Sequence, residues 1–221
     1  MSRISFWIFF LLGLSCVAAI ANKESHQSRH EQECMISGAI VGAFWNSVNY
    51  AIKEGGRASN ILSVHDLNSI SSRGNPRWYA RIDMPHKNVP FPHININPKV
   101  TGVADPHIPI SEATAHAAGM AGKAMKVVNE VVPVIMTAKV AYELWDIASD
   151  AVNGRTVEAK RKVVNMAATN GGGYVGATQG AAYGTAIFPG VGTMFGAIVG
   201  GAVGGMVGGM AGDVANFLHE L

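Results

Sequence analysis

The chain has few cysteines and few charged residues, and both shortages limit the classes of protein to which it can belong. It has two cysteines, Cys16 and Cys34, in 221 residues. Only 14% of its residues are charged, against roughly a quarter in an average soluble domain. The formal net charge is +2 without a strongly basic run, so nothing indicates a protein that holds nucleic acid by charge alone. No Asn-x-Ser/Thr sequon occurs, and N-glycosylation is therefore not expected.

The N-terminal end has the pattern of a secretory signal peptide. Arg3 gives it a basic start, residues 6–14 form a short apolar run, and Ala19-Ile20-Ala21 is a small-x-small cleavage site. We predict a signal peptide over residues 1–21 and hence a secreted protein; a short membrane anchor is the alternative. Cleavage would leave Cys34 as the single cysteine of the mature chain. Its thiol is then predicted either to be buried or to link two copies of the chain.

Charge is missing altogether between Lys162 and Asp213, and glycine is abundant there. It recurs at every fourth residue along two runs, a spacing that keeps residues on one face of an α-helix. An isolated helical glycine costs roughly 1 kcal/mol relative to alanine, so such runs require a partner backbone that approaches closely. With a stop and a turn at Phe188-Pro189-Gly190, the spacing predicts a glycine-zipper helical hairpin over residues 170–218. Its predicted helix-packing residues are Gly172, Gly176, Gly180, Gly184, Gly192, Gly196, Gly200, Gly204, Gly208 and Gly212.

This hairpin resembles the glycine zippers of many membrane-associated and secreted proteins, and three interpretations of it are open. It could pack on itself in a soluble core, insert into or assemble in a lipid membrane, or be flexible low-complexity chain. The run from Gly192 to Phe217 is roughly long enough to cross a bilayer at about 1.5 Å per residue. The predicted partners are accordingly a lipid membrane and a second copy of the chain, held through the zipper or Cys34.

The remaining chain indicates a mostly α protein of the α+β class. Ser111 looks like the N-cap of a helix that Pro133 kinks or restarts, and Gly38 with Gly42 repeats the small-residue spacing on a helix that could pack on the hairpin. A small proline-bounded β segment lies between these helical parts. The predicted segments before the hairpin are a disordered linker at 22–34, a helical segment at 35–72, a His/Pro-rich β module at 73–110 and a helical segment at 111–169.

The β module contains the candidate chemistry. Polar and apolar residues alternate in its strands, so Arg81 and Asp83 are expected on an exposed face, as are His93, Asn95 and Asn97. Imidazole titrates near neutral pH, and several histidines close together can move protons. The candidate catalytic residues are therefore His86, His93, His107, Arg81 and Asp83, with the guanidinium holding a phosphodiester while two imidazoles act as base and acid.

Two other interpretations of these residues are open. The histidines could be ordinary strand and turn residues, or with Asp83 or Asp105 they could hold zinc. None of the spacings is a metal-ligand signature, so neither a metal nor another cofactor is predicted.

The residues from Trp78 to Ile110, with the pattern Pro92-His93-Ile94-Asn95-Ile96-Asn97, resemble C-terminal modules of bacterial Rhs-type polymorphic toxins. The resemblance implies a toxin-like effector, with His86, His93 and His107 as its candidate site. The first functional hypothesis is thus a secreted toxin-like effector, in host defence, whose zipper hairpin engages a membrane. A secreted nuclease-type hydrolase, with nucleic acid as substrate, and a non-catalytic self-associating protein are the alternatives.

Overall fold

A computed structural model describes residues 26–56 and 59–219. The predicted signal peptide lies outside the described residues. By its internal contacts the chain forms two compact units. Of the described residues, the first unit contains 26–42, 136–180 and 197–219, and the second contains 43–56, 59–135 and 181–196.

The described part of the chain is mostly helical with a small antiparallel sheet, which confirms the predicted fold class. Its helices are α1 (His26–Asn49), α2 (Pro98–Thr101), α3 (Glu112–Val152), α4 (Thr156–Ile187) and α5 (Val191–His219). Its strands are β1 (Tyr50–Glu54), β2 (Asn60–Ile70), β3 (Pro76–Asp83), β4 (His93–Ile96) and β5 (Ile108–Pro109).

Two expectations for the N-terminal half are wrong. Residues 26–34 were expected to be disordered but are helical, because Cys34 is buried and His30 pairs with Asp213 at 3.1 Å. Such tertiary contacts stabilise a helix whose composition is polar. Residues 50–54 and 60–70 were expected to be helical but form β1 and β2, where Leu62 and Val64 are buried in the sheet.

The helix boundaries were predicted more closely. The Ser111 hydroxyl accepts a hydrogen bond from the Thr114 N–H at 3.1 Å, as an N-cap does. A turn separates α4 from α5, and Gly190 adopts a φ of 88° that glycine tolerates best. Helix α3 runs on through Pro133 and does not restart there, and, contrary to expectation, α4 passes from 156 to 187 without a boundary at 169.

The five strands follow chain order in one antiparallel sheet. One face is apolar and carries Leu62, Val64, Ala80, Ile82 and Ile94, all nearly inaccessible to water. Helix α3 lies against this sheet through two glycines, since a Cβ on Gly119 would meet Ile61 and one on Gly122 would meet Leu62. The opposite face carries the polar residues of the candidate site.

Candidate functional site

The polar face of the sheet is set by the pairing of β3 with β4. Arg81 pairs with Asn95 and Asp83 with His93, so alternation brings these four side chains to one face. The expectation that this face would be exposed is wrong. Asp83, His93 and Asn95 are at most 1% exposed, because the His86 and His107 rings lie against His93 and the polar side chains bond to one another.

Three imidazole rings meet on this face, at the positions predicted from the sequence. The ring centroids of His86 and His93 are 5.1 Å apart, and those of His93 and His107 are 5.3 Å apart. A bridge between His86 and Val89 forms a turn beside β4, and His107 comes directly before β5. His93 is therefore the central ring, with one imidazole on each side.

A continuous hydrogen-bond network connects Arg81 to His107. Arg81 Nη2 donates to Asp83 Oδ2 at 2.7 Å, and its Nε reaches both carboxylate oxygens. Asn95 Nδ2 donates to Asp83 Oδ2 at 2.9 Å, which turns the Asn95 carbonyl oxygen towards His107 Nδ1, 2.8 Å away. That oxygen only accepts, so Nδ1 of His107 donates to it, and in the neutral ring Nε2 is the nitrogen with the lone pair.

The tautomer of His93 follows from the same reasoning. Its Nδ1 lies 2.8 Å from the Phe91 carbonyl oxygen and must donate. Its Nε2 is buried and has no hydrogen-bond partner among the described residues. A buried polar atom without a partner is uncommon in folded proteins and calls for an explanation.

The backbone at His107 is strained, and Asp105 holds it in place. His107 has a φ of 44°, which is unusual for a residue with a side chain. Asp105 Oδ1 accepts hydrogen bonds from the backbone N–H groups of Ile96 and His107. Strain of this kind persists where surrounding contacts impose it, and it is concentrated at functional sites.

Access to the three rings differs. The His93 ring is enclosed, His86 is half-buried, and the His107 side chain is 46% exposed. A substrate in contact with this face would therefore touch His86 and His107 before His93.

The glycine runs bring α4 and α5 into backbone contact. In the first unit, a Cβ on Gly176 would collide with the Gly200 carbonyl and lie 2.9 Å from Gly204 Cα, and Gly172 faces Gly204 in the same way. In the second unit, Gly184 and Gly192 face each other. The predicted Gly180, Gly196, Gly208 and Gly212 also lie at α4–α5 contacts, opposite Gly200, Gly184, Ala168 and Asn165 respectively.

A second glycine stripe on α5 was missed in the sequence. Gly201 and Gly205 contact Gly38 of α1, and a Cβ on Gly209 would collide with the thiol of Cys34. Their spacing is again four residues, displaced by one from the first stripe, and this is the signal that could have found them. Helix α5 therefore has two adjacent faces without side chains, one for α4 and one for α1.

The third face of α5 is apolar and exposed. Its residues follow helical spacing and are Val199, Val203, Val207, Met210, Val214 and Phe217, each at least 46% exposed. Within the described residues, α5 is the one helix long and apolar enough to cross a bilayer, with a mean hydropathy of 1.6.

The thiol of Cys34 is buried in the first unit. Thr169 Oγ1 donates to Cys34 Sγ at 3.7 Å, and burial raises the pKa of the thiol. The buried-thiol prediction therefore describes Cys34 better than a cross-link between two copies, since a disulfide needs an accessible sulfur.

Comparison with known proteins gives matches to both parts of the chain. Residues 33–128 match the family model described as the C13G5.2-like N-terminal domain, and residues 152–211 match that of the C13G5.2-like glycine zipper domain. An uncharacterised Caenorhabditis elegans protein, C13G5.2, is 42% identical over 163 residues. The alignment covers 72% of this chain and 45% of the relative, so the chain spans less than half of that protein's length. No solved structure matches the chain.

These matches coincide with the two features built up above. The N-terminal match contains the three clustered histidines, and the second match contains most of the glycine-lined helices. The chain therefore combines a region similar to the C13G5.2-like N-terminal domain with a region similar to the C13G5.2-like glycine zipper domain.

Proposed function

We propose that the chain is a secreted, toxin-like effector whose histidine cluster cleaves phosphodiester bonds, with RNA as the substrate class. The observation that carries this proposal is the meeting of His86, His93 and His107 above a network that fixes the tautomer of His107. The toxin-like role rests on the resemblance of the Trp78–Ile110 pattern to Rhs-type modules. Secretion rests on the N-terminal signal pattern.

Two accessible imidazoles supply what cleavage of RNA without a metal requires. One, with a lone pair on Nε2, takes the proton of the ribose 2′-hydroxyl, whose oxygen then attacks the adjacent phosphorus. The other, protonated, gives its proton to the departing 5′-oxygen, so that a 2′,3′-cyclic phosphate and a 5′-hydroxyl form. We assign His107 as the base, because its Nδ1 is held by Asn95, and His86 as the acid.

The role of Arg81 differs from the one first expected. Its guanidinium binds the Asp83 carboxylate with two nitrogens, so its charge is already balanced within the face. In this proposal Arg81 and Asp83 are positioning residues that orient Asn95 and, through it, His107. His93 separates and supports the two accessible rings.

Cleavage of RNA and DNA by the purified chain from Asn22, in the presence of a chelator, tests this function. We expect cleavage of RNA to cyclic phosphate ends and a loss of about 10²–10⁴-fold in rate for His107→Gln or His86→Gln. His116→Gln is the matched control, because His116 is an exposed histidine on α3 outside the cluster. Cleavage that persists in both cluster variants, or its absence from the parent protein, would overturn the proposal.

A second function is favoured by the exposed apolar face of α5, namely engagement of a lipid membrane. Glycine stripes on two faces of a helix and valine on the third suit a helix that packs on neighbours and meets lipid.

Dye release from anionic vesicles tests this membrane engagement. We expect Val203→Asn with Val207→Asn to abolish release, since these residues lie outside the glycine contacts; Val163→Asn, on an exposed site of α4, is the control. No release by the parent protein at micromolar concentration would remove this function.

A further inference from the structure

Three metal-ligating groups lie together on the polar face of the sheet. One ligand atom each of Asp83, His86 and His93 is within 4.8 Å of the others. Asp83 and His93 are buried on the sheet, whereas His86 is half-buried on the turn that follows β3. The cluster thus has two fixed donors and one on a turn.

The His93 ring is oriented to act as a metal ligand through Nε2. Its Nδ1–H is held by the Phe91 carbonyl, so the lone pair of Nε2 is free, buried and without a partner among the described residues. Histidines that bind metals usually have one ring nitrogen held by a carbonyl or carboxylate in this way, which orients the other nitrogen. The partnerless nitrogen of His93 is explained if a cation belongs there.

Asp83 retains the capacity to bind a cation beside Arg81. Its Oδ2 receives Arg81 and Asn95, whereas Oδ1 accepts from Arg81 Nε alone among the contacts of the described residues, at 3.0 Å. A carboxylate oxygen has two lone pairs, so Oδ1 has one left. The negative charge would then be shared between the guanidinium and the metal.

We propose that Asp83, His86 and His93 bind a zinc ion. Two imidazole nitrogens and one carboxylate oxygen are a donor set that zinc takes readily, with the fourth position left to water. Zinc–ligand bonds of about 2.0–2.1 Å place tetrahedral ligand atoms about 3.3 Å apart. The donors would therefore have to draw closer, and His86 can do so by a side-chain rotation, because it lies on a turn and is only half-buried.

Zinc at this position would regulate the activity proposed above, and this part of the inference rests on that proposed function. An imidazole whose nitrogen binds zinc has no lone pair for a proton, so His86 would be lost as acid. Zinc binding would therefore inhibit RNA cleavage, and a chelator would restore it.

Titration of the purified protein with zinc chloride, followed by calorimetry, tests the binding itself. We expect one zinc ion per chain and an affinity that falls more than about 100-fold in His86→Gln, since loss of an outer-shell partner alone costs 10–100-fold. His116→Gln should bind zinc like the parent, and circular dichroism should show that both variants are folded. Absence of saturable binding by the folded parent, or full affinity in His86→Gln, would overturn the proposal.

The zinc site and the proposed RNA cleavage can be disproved independently of each other. RNA cleavage in chelator by a protein that binds no zinc would leave the proposed function standing and remove the zinc site. Zinc binding that depends on His86, in a protein that cleaves no RNA with or without zinc, would remove the function and leave the site.

Discussion

The polar face of the sheet and the glycine-lined helices depend on opposite kinds of side chain. At Asp83, Asn95 and His107 the contacts are directional hydrogen bonds, and each group needs its particular partner. At Gly176 and Gly200 the contact is between backbones and needs the absence of a side chain. The difference predicts that the sheet face is sensitive to removal of atoms, whereas the helix interface is sensitive to their addition.

The largest loss should follow removal of the Asp83 carboxylate. Asp83→Ala leaves the Arg81 guanidinium and the Asn95 amide without their buried acceptor, and breaking such a pair costs about 3–5 kcal/mol in free energy of unfolding. Urea denaturation measures it. Asp66→Ala, at a half-buried carboxylate on β2 that accepts one hydrogen bond from the Asn68 backbone N–H, is the control and should cost only about 1 kcal/mol. Equal losses in the two variants would mean that the buried network adds nothing.

In the glycine-lined helices, adding a single carbon atom should lower the stability. Gly176→Ala places a methyl group against the Gly200 carbonyl and Gly204 Cα, and rigid backbone on both sides makes a loss of about 3 kcal/mol the expected result. Gly171 is the matched control, because an added Cβ there meets nothing within 4 Å in the described part of the chain. Gly171→Ala should stabilise the same helix by about 0.5–1 kcal/mol. If denaturation curves showed the same change in stability for Gly176→Ala and Gly171→Ala, close packing of α4 on α5 at Gly176 would be contradicted.

Alkaline pH should lower the stability of the second unit, which contains the sheet, through ionisation of Tyr50. Burial raises the pKa of Tyr50 to about 12, from a usual value of 10.0, and the neighbouring Tyr79 adds to the shift. The neutral phenol is thus favoured in the folded state, so its contribution to stability is present below pH 10 and is lost as pH rises towards 12. About 1.36 kcal/mol per pKa unit makes this roughly 2–3 kcal/mol at most. The free energy of unfolding of Tyr50→Phe, measured by urea denaturation, should fall less steeply between pH 10 and pH 12 than that of the parent. The same pH dependence in both proteins would exclude Tyr50 as the cause.

The smallest effect concerns His65 on β2. Burial lowers the pKa of its imidazole below the usual 6.5, although a hydrogen bond with the Pro76 carbonyl opposes the shift. Its contribution to stability is therefore present above pH 6.5 and is lost as pH falls through the lowered pKa. Thermal unfolding of His65→Gln should vary less over that acidic range than that of the parent. The same acid sensitivity in both proteins would assign it to other groups.

The sequence predicted the helix interface better than the sheet face. Gly172 and its repeats have one physical use, close helix packing, so the spacing alone indicated their partners. Strands β1 and β2 were missed because residues 60–70 have weak periodicity, and because both strands are held by pairing along the sheet, β1 with β2 and β2 with β3, which is a tertiary interaction. Burial of His93 and Asn95 was missed because alternation shows which residues share a face but not what covers it. The closeness of Asp83 to His86 depends on a turn that no spacing rule describes.

The regularity of the glycine stripes has a consequence for helix register. A stripe that repeats every four residues, about 6 Å along the axis, matches its partner equally well after a slide of one repeat. The glycines therefore define a set of equivalent steps and do not choose among them. That choice falls to contacts that do not recur, such as the hydrogen bond from Asn165 to Asp213 at 2.9 Å. A few polar contacts of this kind, among them the one between the Thr185 and Thr193 hydroxyls at 2.7 Å, therefore fix the alignment of α4 on α5.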